Sequence, residues 1–140
     1  MQKLILLIGI LFLFVGPGRT DGFEDPCHYS TEGTDFWFGV MQNRNSGATH
    51  VVEVTVTSRV GAQFTVAWGP AETPIGSTYT VAPNSSVRVP IDYSLLESKG
   101  SESIENKGIH LVSTNPVNVY ALNYRTQSSD VAVIYPTESL

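Results

Sequence analysis

Residues 50–58 read HVVEVTVTS. Val52, Val54 and Val56 fall on one side of an extended chain, and Glu53, Thr55 and Thr57 on the other. That two-residue period belongs to a strand with one buried and one wetted face. Residues 62–69, AQFTVAWG, repeat it, with Phe64, Val66 and Trp68 inward against Gln63 and Thr65. Arg59-Val60-Gly61 between the two is read as a tight hairpin connection. Further strands are expected over residues 35–42, 77–81, 86–91, 108–113, 117–125 and 130–135. Turns are expected at Ala82-Pro83-Asn84-Ser85, Asn115-Pro116 and Gln127-Ser128-Ser129. Residues 92–99 read as one helical turn or a loop, and no long segment has helical periodicity. The expectation is an all-β fold, an antiparallel sandwich-like domain of about seven or eight short strands.

The 140 residues correspond to one domain. The first 18 read as a secretory signal: Lys3, then the unbroken apolar run Leu4 to Val15, then Gly16-Pro17-Gly18. The apolar run is shorter than the roughly 20 residues of a membrane span, so no membrane insertion is expected after cleavage. Residues 19–32 read as an irregular polar lead-in, and residues 33–140 as the β-rich domain. The full chain carries a net charge of −5, and loss of Lys3 with the signal makes it one unit more acidic. A surface of that sign does not attract nucleic acid.

Cys27 is the single cysteine. In a secreted chain it reads either as a thiol whose partner lies in another chain or in a missing part of the same one, or as a buried free thiol. Asn84-Ser85-Ser86 is an N-x-S sequon in an expected turn, which makes Asn84 a glycosylation candidate in a eukaryotic host.

The residues define no catalytic constellation, cofactor site or metal site. His28, His50 and His110 have no ligand spacing, and no nucleophile elbow or phosphate loop is present. Glu102 and Glu105 lie in a polar loop. Phe36-Trp37-Phe38 puts Phe36 and Phe38 on one face and Trp37 on the other. The run is read mainly as a central strand buried from both sides. Trp37 and Tyr124 are nevertheless the aromatic candidates for a binding surface.

Toward the end, Val117, Val119 and Ala121 alternate with Tyr120, Leu122 and Tyr124, and residues 131–135 are apolar on both faces. Such strands are usually covered on both sides, and an open apolar edge invites association. The chain is therefore expected to be an incomplete portion of a larger β domain.

Several motifs carry a resemblance. They are Gly33-Thr34-Asp35-Phe36-Trp37-Phe38-Gly39, residues 107–113 (KGIHLVS) with Asn115-Pro116-Val117, residues 119–124 (VYALNY), and Ser129-Asp130-Val131-Ala132. In this order they resemble the IgGFc-binding protein N-terminal domain family, over residues 33–140. The resemblance implies a secreted, extracellular, non-enzymatic recognition or adhesion module that binds a protein or glycan, with immunoglobulin Fc as one such partner. The family's domain is longer than this chain and continues past Tyr135 to Glu138. The alternatives are a fragment of a secreted hydrolase with its catalytic residues beyond Leu140, or a purely structural module of a large extracellular protein.

Overall fold

The computed structural model describes residues 30–44 and 49–140. The expected signal at 1–18, Cys27 and His28 lie outside the described residues. The elements are β1 (Glu32–Phe38), β2 (Val40–Met41), β3 (His50–Ser58), β4 (Ala62–Trp68), β5 (Thr73–Pro74), β6 (Tyr79–Val81), β7 (Ser85–Ile91), a one-turn helix α1 (Tyr93–Leu96), β8 (Glu97–Ser98), β9 (Ile109–Arg125) and β10 (Ser128–Ile134). A 3-10 turn at Thr137–Ser139 follows. Eight strands form one sheet, and β2 and β8 pair separately in parallel. The fold is all-β and sandwich-like, as the alternation predicts. β1 begins at Glu32, inside the segment expected to be irregular.

Three expected turns are corners rather than hairpins. β3 and β4 do not pair with each other; both pair antiparallel with β9, Thr57 opposite Asn118 and Phe64 opposite Ser113. β7 and β6 lie along β3 and β4 in the same way, Ser58 opposite Ser85 and Ala62 opposite Val81. β9 is a single 17-residue strand that runs through Asn115-Pro116. Arg59–Gly61, Ala82–Asn84 and Thr114–Pro116 are therefore neighbouring points on adjacent long strands, and the sheet curls across that line. On the far side of β9 the β1 register also slips there, Gly33 facing Val117 and Asp35 facing Val112.

Local chemistry fixes the corner. Gly61 has φ +84, and a Cβ there would sit 3.1 Å from Pro83 Cδ. Asn84 has φ +53, in the left-handed region that Asn tolerates better than most residues. Where the ladder breaks, side chains take over the freed backbone groups. Gly61 N donates to Ser58 Oγ at 3.0 Å, Gln63 N to Thr114 Oγ1 at 3.0 Å, Asn115 Nδ2 to Gly61 O at 2.8 Å, and Ser113 Oγ to Asn115 O at 2.6 Å.

The alternation survives the corner, so one face of both halves encloses one core. Val52, Val54, Val56, Phe64, Val66, Val89, Ile109, Leu111, Val117 and Val119 are buried in it, with Phe36 from β1. Trp68 packs against its margin. Among the described residues β1 pairs only with β9 and is an edge strand, so the reading of Phe36-Trp37-Phe38 as a strand buried from both sides is corrected: Phe36 is buried and Trp37 is exposed. The outer face of β9 and β10 is likewise open among the described residues, with Val131 and Val133 exposed. Asn84 is exposed at the corner, on the edge of the sheet opposite β1.

Candidate functional site

Strand register assembles a side-chain cluster that no local spacing announces. Trp37 pairs with His110, and His110 pairs on its other side with Ala67. The outward faces of β1, β9 and β4 therefore put the indole and the imidazole side by side. Their ring centroids are 4.1 Å apart and their planes 11° from parallel. Trp37 remains 44% exposed.

Two carboxylates hold the imidazole from opposite ends. His110 Nδ1 lies 3.0 Å from both oxygens of Glu72, and Nε2 lies 3.2 Å from Asp35 Oδ2. The Thr137 hydroxyl donates to Asp35 Oδ1 and ties the end of the chain to β1. Partial burial of the ring works against its charge, but the hydrogen bonds to Asp35 and Glu72 and their charges outweigh it, so the His110 pKa is raised. Asp35 is lowered, first by the Thr137 hydroxyl and then by His110. Because the carboxylates occupy opposite nitrogens, they clamp the ring rather than converge on a shared point. The product is an imidazole held between two carboxylates that braces one face of an exposed tryptophan.

Beside the indole runs an open groove of about 310 Å³, lined by Trp37, Gly69, Pro70, Glu105, Asn106 and Gly108. Gly69 N donates to Gly108 O at 2.9 Å and ties the floor together. Lys107 Nζ, at 2.9 Å, and Lys99 N, at 2.9 Å, both donate to the Glu105 carboxylate; the Lys107 contact leads in lowering its pKa.

A second polar cluster is closed to solvent. The Glu97 side chain is 1% exposed, 3.6 Å from His50 Nε2 and 3.9 Å from Arg125 Nη2, and Glu97 Oε1 accepts from Asn43 N at 3.0 Å. His50 packs on the Tyr93 ring and bonds Asn123 Oδ1, while Asn123 Nδ2 donates to Met41 O. This group fastens residues 41–43, α1 and β8 to β3 and β9. Its burial suits a structural tie.

The two aromatic candidates do not come together. Tyr124 is partly exposed on the other half of β9, paired with Val51 and Ser129. His110, Glu72 and Asp35 carry no signal in the linear sequence, being 38 and 75 residues apart from one another in their contacts.

No family model matches the chain, and no curated protein matches it. Among solved structures it is similar to one described as the crystal structure of Thermotoga maritima 1070, with 15% identity and a TM-score of 0.47. That likeness covers 78% of this chain and 98% of the other.

Proposed function

We propose that this chain is a secreted, non-enzymatic recognition or adhesion module that binds an extracellular protein or glycan through the outer face around Trp37. One observation carries the reading: a tryptophan 44% exposed yet held flat against His110. A fixed aromatic loses little freedom on binding, and tryptophan is enriched at binding hot spots. The signal-like first 18 residues support the extracellular placement. The resemblance to the IgGFc-binding protein N-terminal domain family supports the non-catalytic reading and makes Fc one partner to test. A glycan on Asn84 would stand on the opposite sheet edge from β1 and leave the Trp37 face free.

The test is a panel of immobilised extracellular glycoproteins and glycans, Fc included, probed with the full chain. Binding that falls at least about tenfold in Trp37→Ala and holds in Tyr124→Ala supports the reading. Equal binding by wild type and Trp37→Ala contradicts it.

A further inference from the structure

The groove beside Trp37 has a wall, a floor and a polar end, and together they select a ligand class. We propose that it holds a single neutral pyranose ring, stacked on the indole, with its hydroxyls directed to Glu105 and Asn106. The proposal rests on the reading of this face as a recognition surface and names what that surface reads.

The space for the ring exists because residue 108 has no side chain. A Cβ at Gly108 would lie 3.7 Å from Cε3 and Cζ3 of Trp37, in ordinary contact with the indole. Without one, that side of the ring opens into the groove, with Pro70 as a further apolar wall. The volume, about 310 Å³, is at the small end of ligand sites and suits one sugar ring in an open cleft.

Charge narrows the choice. A cationic ligand would find the Glu105 carboxylate already occupied by Lys107 Nζ at 2.9 Å. An anionic ligand would meet Glu105 in a chain of net charge −5. A neutral ring with one C–H face and a rim of hydroxyls avoids both. Its C–H face lies on the indole, and its hydroxyls donate to Glu105, since a carboxylate offers about four acceptor sites and two are taken here.

The experiment titrates the full chain with methyl glycosides of glucose, galactose, mannose and N-acetylglucosamine, to about 100 mM, read by tryptophan fluorescence. One glycoside is expected to saturate in the millimolar range. Gly108→Ala, whose Cβ stands in the groove at an ordinary contact distance from the indole, is expected to weaken it at least about tenfold with Tm unchanged. Absence of any saturating glycoside overturns the proposal, and so does full affinity in Gly108→Ala. Lysine methyl ester titrating in place of every glycoside overturns it as well. A protein partner that needs Trp37 while no glycoside binds overturns the pyranose and leaves the recognition reading standing. Partner binding indifferent to Trp37→Ala removes that reading itself.

Discussion

His110 lies parallel to Trp37, centroids 4.1 Å apart, although 73 residues separate them and each comes from a different strand. The contact is made by register. β1 pairs with the first half of β9 so that residue 37 meets residue 110, and both point away from the core. Everything else in the candidate site attaches to that pair: Glu72 and Asp35 fix the imidazole, and the groove opens beside the indole.

The stack and the core separate in stability. Phe64→Ala empties a fully buried position and should cost about 3–5 kcal/mol. Trp37→Ala removes an exposed stacked ring and should cost about 0.5–1.5 kcal/mol beyond the area it covers. Urea denaturation of both variants checks the order; a larger loss for Trp37→Ala would place the indole in the core.

His110 makes stability depend on pH with a definite sign. Its folded pKa lies above the ordinary 6.5, so its contribution is complete below that value and is lost as pH rises through the raised folded pKa. The stability gap between wild type and His110→Gln should therefore shrink from slightly acid to mildly alkaline pH. Asp35 acts oppositely, its contribution present above its ordinary 3.8 and lost as pH falls through the lowered folded pKa. Melting curves of wild type and His110→Gln across this range measure the gap, and a widening gap would contradict the clamp.

Glu97 is the keystone of the buried cluster. Glu97→Ala leaves Arg125 without its carboxylate partner, His50 without its neighbour at 3.6 Å, and Asn43 N without its acceptor. The expected loss is about 3–5 kcal/mol by chemical denaturation, against little change for an exposed carboxylate such as Glu102→Ala.

The corner depends on Gly61. Its φ of +84 and the nearness of Pro83 both oppose a side chain. Gly61→Ala should lose about 1–3 kcal/mol, while Gly39→Ala, with open space around it, should lose far less. Equal losses would mean that the curl is not set at this line.

The inward and outward faces of β3 and β4 were legible because two-residue alternation is local. The corners were not. Gly61, Pro83 and Pro116 carry turn chemistry, and a hairpin and a shared bend use the same residues. Only pairing distinguishes them: Thr57 and Phe64 face the same strand, β9, rather than each other. Trp37 was placed on the correct face, but its exposure depends on β1 being an edge, which is a property of the sheet rather than of the FWF run. His110 looked isolated because its partners are brought in by β1 and by the segment after β4.

The most direct measurement of the central claim is the ¹H–¹⁵N spectrum of the full chain with a saturating partner from the binding panel. The chain has two tryptophans and so two indole signals, Trp37 on the outer face and Trp68 at the core margin. The account predicts that the Trp37 indole signal moves on binding and the Trp68 signal stays. A bound complex in which the Trp37 signal is unmoved would contradict it.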